Sequence, residues 1–368
     1  MNHLIEEQSQ LKELEPLLLE LSTQAGHVSV DTEFLREKTY KAKLCLVQLG
    51  IGENQYCIDV LAIADLSVLT NFFSDQRVLK LFHAARQDME VIYQTLGVLP
   101  EPIFDTQLAA AFCGSDMQIG YAGLVKERLD IDLAKTQART DWTRRPLSEE
   151  QIDYAADDVK YLEHLYLQAL ADITEQGKLA WYQEEIKTFY ELDKYIIDPA
   201  LAYKRLSGGG LNLIQQYTLK ALAEWRETMA QKKDIPRSWI LKDDRLYELA
   251  TKRPMTEDKV IEMEIFGRKS AHRNAPIAVN LIANVEVGDK PLWKRIDPFD
   301  KQDKSIISSM MKQLASYARD NKVAQGLLGT RRDVESFYRH STSKKLLSGW
   351  RKEVVGNPLQ EFVANKSA

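Results

Sequence analysis

A short run of small and β-branched residues, Val28-Ser29-Val30, leads directly into two acids, Asp31 and Glu33. The run predicts a β-strand, because β-branched residues favour extended backbone. Successive side chains of a strand point to opposite faces, so the two carboxylates would share one face. Adjacent carboxylates repel each other, and a divalent metal ion, which prefers oxygen ligands, would relieve that repulsion. The pattern therefore predicts either a metal site or a strand that ends in two solvated acids.

The length and composition indicate a globular protein with more than one domain. The 368 residues suffice for two or three domains, and a hydrophobic content of 44% can supply their cores. The cysteines, Cys45, Cys57 and Cys113, have no C-x-x-C partner, so they predict neither a disulfide framework nor a zinc site. The sequence shows neither the pattern of a signal peptide nor an uncharged apolar run long enough to span a membrane. We therefore expect a cytoplasmic protein that does not enter a membrane.

The charges are distributed unevenly along the chain. Residues 209–368 contain 29 Lys and Arg against 20 Asp and Glu, whereas residues 1–208 contain 20 basic against 34 acidic residues. Such an asymmetry suggests an N-terminal part that binds cations and a C-terminal part that meets a polyanion.

Strand and helix patterns alternate in the first 170 residues. Strands are predicted at 28–31, 44–49, 55–60, 77–82 and 103–104, from short apolar runs between turn residues. Helices are predicted at 4–24, 61–75, 85–97, from 105, at 120–129 and at 148–170, with a basic irregular stretch at 134–147. This order predicts an α/β fold with a mixed sheet.

The part of the chain that follows the glycine-rich run Ser207–Gly210 has an almost wholly helical pattern. The segment Leu219–Arg226 resembles Met311–Tyr317, and the segments that follow them also resemble each other. We interpret this repetition as a duplicated helical domain of roughly 80 residues, with a boundary near 290–300.

Three further sites, one of them a pair of residues, could join Asp31 and Glu33. Asp88 lies early in a predicted helix, where an acid also complements the helix dipole. Asp105 fits a helix N-cap better than a metal ligand. Tyr154 and Asp158 are four residues apart on a predicted helix and share one face, although a packed tyrosine and a solvated acid would give the same spacing.

The ordered set of these residues resembles the DEDD superfamily of 3′→5′ exonucleases, tyrosine subclass, and within it the ribonuclease D family. Asp31 and Glu33 match its first motif, Asp88 its second, and Tyr154 with Asp158 its third. The resemblance extends to four longer segments: Val30–Phe34, Leu46–Leu49, Phe104–Ala109 and Asp141–Leu147. The repeated tail resembles the paired HRDC domains of ribonuclease D and certain helicases, and Leu347–Arg351 fits the second of them.

The resemblance implies a ribonuclease H-like exonuclease domain at 1–206, followed by all-α HRDC domains at 210–290 and 296–368. It implies a 3′→5′ exoribonuclease that uses two Mg²⁺ or Mn²⁺ ions and releases nucleoside 5′-monophosphates. By similarity Asp31 bridges both ions, Glu33 and Asp158 complete the first, and Asp88 serves the second. Tyr154 orients the attacking water and is not the general base, since a phenol with a pKa of ~10 keeps its proton at neutral pH. Precursor tRNA is the implied substrate.

Candidate RNA contacts lie near these motifs and in the tail. Phe34 could stack on a terminal base or pack in the core, and His83 could meet a phosphate or be structural. Arg139, Arg144 and Arg145 could follow the RNA backbone or form a solvated loop. The tail offers the pairs Lys232-Lys233, Arg268-Lys269, Arg331-Arg332 and Lys344-Lys345, each of which could equally be ordinary helix surface.

Two other functions fit parts of the pattern. A DNA repair or proofreading exonuclease would share the fold, although no helicase motif such as G-x-x-x-x-G-K-[ST] accompanies it here. A non-catalytic RNA-binding protein would not need the full set of carboxylates. One active site with its own binding domains is compatible with a monomer.

Overall fold

The computed structural model describes residues 1–24, 26–133 and 140–367, with side chains up to residue 364. The chain forms two compact units. The first, here called the sheet unit, comprises Met1–Leu35, Leu44–Glu191 and Phe299–Ala368. The second, here called the helical unit, comprises Arg36–Lys43 and Leu192–Pro298. No helix in the described residues is long and apolar enough to cross a membrane.

A six-stranded mixed sheet forms the core of the sheet unit. Its strands are β1 (Asn2–Ile5), β2 (His27–Leu35), β3 (Lys43–Ile51), β4 (Asn54–Ile58), β5 (Leu79–Phe82) and β6 (Ile103–Asp105). They lie in the order β1-β4-β3-β2-β5-β6. Strands β3 and β4 form an antiparallel hairpin, while β1 pairs parallel to β4 and β5 pairs parallel to both β2 and β6. The predicted α/β fold with a mixed sheet is therefore confirmed.

Strand β2 lies inside the sheet, between β3 and β5. Val28 and Val30 are fully buried, as the apolar start of this strand predicts. The strand continues to Leu35, so Asp31 and Glu33 lie within it and share a face by the alternation of the pleat.

Eight helices belong to the described part of the sheet unit before residue 192. They are α1 (Gln8–Thr23), α2 (Ser67–Ser74), α3 (Arg86–Leu96), α4 (Thr106–Phe112), α5 (Tyr121–Leu129), α6 (Glu149–Lys160), α7 (Leu162–Glu175) and α8 (Leu179–Ile186), followed by a 3₁₀ turn at Lys187–Tyr190. A capping box at Ser148 and Gln151 opens α6. Helix α6 contacts β1, β2 and β4, and α3 contacts β2.

Three of the predicted helices differ from the structure. The helix predicted at 61–75 begins only at Ser67. The helix predicted from residue 4 begins at Gln8, because residues 2–5 form an edge strand that pairs with β4, more than fifty residues away. The single helix predicted for 148–170 breaks at Tyr161 into α6 and α7. The Tyr121 hydroxyl stabilises this break, since it donates a 3.0 Å hydrogen bond to the Asp157 carbonyl and accepts one of 3.0 Å from the Tyr161 amide.

The helical unit is built around one apolar core. Its helices are α9 (Leu213–Lys233), α10 (Arg237–Ile240), α11 (Asp243–Lys252), α12 (Glu257–Glu262) and α13 (Arg268–Ala283). Fully buried leucines from α9 and α11, among them Leu219, Leu222 and Leu246, pack with Ile282 of α13. The segment Arg36–Lys43 belongs to this unit, because the Asp234 carboxylate accepts hydrogen bonds from the amides of Tyr40 and Lys41.

The C-terminal helical segment, residues 299–367, belongs to the sheet unit. It contains α14 (Lys301–Asp320), α15 (Gln325–Leu328), α16 (Arg331–His340), α17 (Gly349–Arg351), a π-helical stretch at Lys352–Gly356 and α18 (Asn357–Ser367). Its Trp350 ring stacks on Trp181 of α8, with centroids 4.8 Å apart, and packs against Phe112 at 5.4 Å. The next residue, Arg351, forms a largely buried ion pair with Glu185 of α8.

A second contact joins the same segment to the end of α4. The Ala324 amide donates a 2.8 Å hydrogen bond to the Ala111 carbonyl. The buried Lys178 ammonium donates to the carbonyls of Phe112 and Lys322, at 2.7 and 2.9 Å. The segment and the sheet therefore share buried aromatic, ionic and backbone contacts.

Replacing Trp350 with Ala should destabilise the sheet unit by about 3–5 kcal/mol, because it removes a buried aromatic side chain and leaves a cavity beside the rings of Phe112 and Trp181. Equilibrium chemical denaturation would measure the change. Trp239→Ala is the matched control, since Trp239 is 59% exposed. Equal effects of the two substitutions would contradict the structural role of Trp350.

Candidate active site

Three carboxylates, those of Asp31, Glu33 and Asp158, converge in the sheet unit. Each offers one oxygen atom, and these oxygens all lie within 4.8 Å of one another. Asp31 and Glu33 project from β2, whereas Asp158 projects from α6, which packs against that strand. All three side chains are half-buried. The structure thus brings together three of the acids that the sequence motifs single out.

The close approach of these acids makes their ionised forms unfavourable. Burial and the charges of neighbouring acids raise the pKa of Asp31 well above its ordinary value. Burial and the charges of Asp158 and Asp88 raise the pKa of Glu33 to about 9. Burial also raises the pKa of Asp158 to about 7, against the effect of a hydrogen bond from Tyr154. A positive charge at this place would therefore stabilise the carboxylates.

A divalent metal ion fits this donor set. The three groups supply only carboxylate oxygens, which are the preferred ligands of hard cations such as Mg²⁺ and Mn²⁺. Their spacing lets one ion contact an oxygen from each residue. A cation between them would also offset the repulsion that raises their pKa values.

Asp88 lies beside this group but is not one of the three clustered ligands in the described chain. It occupies the first turn of α3, its side chain is buried, and its carboxylate accepts a 2.5 Å hydrogen bond from the Thr32 hydroxyl. Burial raises the pKa of Asp88 to about 7, although the bond from Thr32 opposes that shift. Asp105 acts as the N-cap of α4, because its carboxylate accepts from the Leu108 amide at 2.9 Å.

The Tyr154 side chain lies one helical turn before Asp158 and is hydrogen-bonded to it. Its ring packs against Trp142, with centroids 6.3 Å apart. Burial and the charges of Asp158, Glu33 and Asp31 raise the pKa of Tyr154 above its ordinary value. The phenol therefore keeps its proton at neutral pH and can both donate and accept hydrogen bonds.

A pocket of about 710 Å³ opens over the carboxylates. Its wall includes Phe34, which is half-buried beside Glu33. His83 also lines the pocket, but its Nδ1 lies 2.9 Å from the Thr106 hydroxyl and its Nε2 lies 2.9 Å from the Ile119 carbonyl. Because both ring nitrogens have protein partners, the geometry gives no support to a phosphate contact by His83.

Arg145 has a structural role in place of the RNA contact considered from the sequence. Its five N–H groups are all used, by the carboxylate of Asp59 and by the carbonyls of Cys45, Trp142 and Arg144. Asp59 is fully buried. Neither arginine of the 144–145 pair is among the residues that line the pocket.

Some of the remaining basic candidates have partners within the protein, and others are exposed. Arg139 lies outside the described residues. In the tail, the Lys345 ammonium donates to the Gly326 carbonyl at 3.1 Å, and Arg331 pairs with Glu335 at 2.8 Å. Lys344 is exposed in the turn between α16 and α17. The other candidates lie on exposed helix surface: Lys232, Lys233, Arg268, Lys269 and Arg332.

Replacing Arg145 with Ala should destabilise the protein by about 3–5 kcal/mol, because it leaves the buried Asp59 carboxylate without its ion-pair partner. Thermal or chemical denaturation would measure the loss. Arg144→Ala is the control, because that side chain is 84% exposed and should change stability by less than about 0.5 kcal/mol. An Arg145→Ala protein of unchanged stability but weaker RNA binding would instead support the contact considered from the sequence.

Several residues of the pocket were not selected from the sequence. Thr32 lies between the two acids of β2. Its hydroxyl has a role only because the fold brings Asp88 within hydrogen-bond distance of it. The signal for Arg86 and Gln87 was their position beside Asp88 in the second motif. Other lining residues reach the pocket only through the tertiary structure, so no local pattern in the sequence identifies them: Met117, Gln118, Tyr121, Leu162, Glu185 and Phe189.

Comparison with known proteins shows matches over both parts of the chain. Residues 2–173 match the 3′-5′ exonuclease family, and residues 215–282 match the HRDC domain. Ribonuclease D of Jannaschia sp. is 37% identical over 346 residues, which cover 90% of this chain and 88% of that protein. Ribonuclease D of Zymomonas mobilis is 32% identical and covers 94% of this chain and 91% of that protein.

A solved structure shows the same similarity in three dimensions. The crystal structure of Escherichia coli ribonuclease D, described as an exoribonuclease involved in structured RNA processing, superposes with a TM-score of 0.87 at 26% sequence identity. The superposition covers 99% of each chain.

Proposed function

Since the chain belongs to the ribonuclease D family and is a 3′→5′ exoribonuclease, we propose that its carboxylate pocket is the site that hydrolyses the 3′-terminal phosphodiester bond of RNA. The observation that carries this assignment is the convergence of Asp31, Glu33 and Asp158 within 4.8 Å beneath an open pocket. The product would be a nucleoside 5′-monophosphate, as the family resemblance implies.

The proposed ligands of two divalent ions, Mg²⁺ or Mn²⁺, are Asp31, Glu33, Asp88 and Asp158. Such ions supply positive charge to the attacking and leaving oxygens of a phosphodiester. Asp31, Glu33 and Asp158 form the clustered set, and Asp88 is held apart from it by its bond to Thr32. Thr32 therefore fixes the orientation of the Asp88 carboxylate.

We assign Tyr154 to the orientation of the attacking water. Its hydroxyl is hydrogen-bonded to Asp158 and keeps its proton at neutral pH, so it acts as a hydrogen-bonding group and not as a general base. Phe34 lines the same pocket beside Glu33, where its ring could stack on the terminal base.

Replacing Asp31 with Asn should abolish nearly all hydrolysis, because it removes a charged ligand from the centre of the acid cluster. The measurement is the Mg²⁺-dependent release of nucleoside 5′-monophosphates from a 3′-labelled single-stranded RNA, with EDTA as the metal-free reference. Asp157→Asn is the matched control, since that neighbouring acid pairs with Lys160 at 3.7 Å and is not in the cluster.

Three results of this assay would contradict the proposal. The first is an Asp31→Asn protein as active as the wild type. The second is full activity in EDTA. The third is faster trimming of a DNA strand of the same sequence, which would favour a DNA exonuclease.

We further propose that structured RNAs, in particular the 3′ ends of precursor tRNA, are the substrates, and that the enzyme acts as a monomer in the cytoplasm. The basic surplus of residues 209–368 supports an RNA partner, since phosphate contacts dominate affinity for nucleic acids. The relative from Escherichia coli is described as acting in structured RNA processing. We also propose domain limits at 1–206, 210–290 and 296–368, with a second HRDC domain supported by the motif at Leu347–Arg351.

Replacing Lys232 and Lys233 together with Ala should lower kcat/KM for a precursor tRNA by about three- to tenfold, because two exposed charges that could meet phosphates are lost. Trimming of a short single-stranded RNA by the same variant should be unchanged and serves as the internal control. The slope of log affinity against log salt should fall by about 1–2 for the precursor tRNA alone. Equal losses on both RNAs, or none on either, would argue against a substrate-binding tail.

A further inference from the structure

The wall of the carboxylate pocket is strongly acidic, which poses a problem for a site that must admit an RNA backbone. Six carboxylates line it: Asp31, Glu33, Asp88, Asp105, Asp158 and Glu185. Among the described lining residues, Arg86 is the one side chain with a permanent positive charge. The ring nitrogens of His83 are already used by Thr106 and Ile119.

Arg86 is held against the wall of the pocket by two contacts. Its guanidinium carbon lies 4.1 Å from the centroid of the Phe189 ring. Its Nη2 donates a 3.0 Å hydrogen bond to the Thr188 hydroxyl. Thr188 and Phe189 belong to the 3₁₀ turn that follows α8. Stacking fixes the guanidinium plane but leaves its edge available, so the side chain is oriented before a ligand arrives.

The guanidinium of Arg86 has no carboxylate partner within 4 Å in the described part of the chain. The residue is exposed, although it lies in an acidic pocket. Nε, Nη1 and the second N–H of Nη2 therefore remain as donors towards a ligand, and this second N–H can pair with a neighbouring donor to bind a phosphate through two hydrogen bonds. A purely structural arginine would instead use these donors within the protein, as Arg145 does.

The position of Arg86 on α3 indicates which phosphate it would meet. Arg86 precedes Asp88 by two residues, and side chains at that spacing on a helix point in directions about 200° apart. Asp88 faces β2 through Thr32, whereas Arg86 faces the turn at 187–190. If the scissile phosphate lies at the carboxylates, any other backbone phosphate that meets Arg86 lies on its 5′ side, because the 3′-terminal phosphodiester is the last one in the strand.

We propose that Arg86 is a substrate-binding residue that holds a backbone phosphate on the 5′ side of the scissile bond, an inference that rests on the proposed function of the pocket. Arg86 aligns the RNA strand by its phosphate and reads no base. It also supplies the positive charge that the acidic wall lacks.

The test compares Arg86→Gln with the wild type on a short single-stranded RNA, using the full-length protein with Mg²⁺. KM should rise about tenfold, as expected for the loss of a charged hydrogen-bonding pair, while kcat changes less than about twofold. Arg77→Gln removes the same charge from an exposed site outside the pocket and should leave both constants unchanged. Arg86→Lys should recover part of the affinity, because it restores the charge without the planar fork.

Substrates with one neutral methylphosphonate linkage identify the contact itself. At one position on the 5′ side, the neutral linkage should weaken binding to the wild type about tenfold and should weaken binding to Arg86→Gln no further. Fluorescence anisotropy in EDTA measures this binding without turnover. An unchanged KM in Arg86→Gln, or additive losses at every linkage, would overturn the proposal.

The same assays separate the role of Arg86 from the activity of the pocket. If the wild type releases no monophosphates, the function of the pocket is wrong. If it releases them and Arg86→Gln behaves like Arg77→Gln, the function stands and Arg86 has no role in binding RNA. Equal unfolding temperatures of the two variants would show that the difference in KM does not come from misfolding.

Discussion

Electrostatic repulsion among carboxylates is the constraint on which the rest of the sheet unit depends. Three acids with oxygens within 4.8 Å of one another would move apart on a flexible scaffold. Here β2 is fixed between two neighbouring strands, and α6 begins with a capping box and packs on that strand. Thr32, which also lies on β2, binds the Asp88 carboxylate through a hydrogen bond. These rigid elements keep the carboxyl groups close together before a cation binds. Such pre-organisation is what a metal site requires.

The fold could be predicted wherever the signal was local. The strand ending in two acids, the hairpin and the capping box of α6 each depend on residues close in sequence, and each is present. The misread elements depend on distant partners. Residues 2–5 are a strand only because β4 offers an edge to pair with, and α6 ends at Tyr161 because the Tyr121 hydroxyl intervenes from another helix.

In the candidate site, too, local patterns could be predicted from the sequence and contacts with distant residues could not. The spacings Asp31–Glu33 and Tyr154–Asp158 are properties of a strand and a helix, so their shared faces followed from the sequence. Arg145 and His83 could not be interpreted in that way. An arginine in a basic loop and a histidine after a strand look available until Asp59, Thr106 and Ile119 are placed beside them. Arg86 shows the opposite, since the sequence did not single it out as a contact. Only the position of Phe189 shows how its side chain is oriented.

The sheet unit is discontinuous along the chain, and this has a consequence for biosynthesis. The stacked pair of Trp181 and Trp350, and the ion pair of Glu185 with Arg351, join residues more than 160 positions apart. While the ribosome is still making the intervening helical unit, α8 lacks these partners. Glu185 also lines the pocket, so one of its walls gains its final contacts only after residue 351 has left the exit tunnel. A nascent chain whose residue 351 has not yet emerged therefore does not yet carry the finished nuclease.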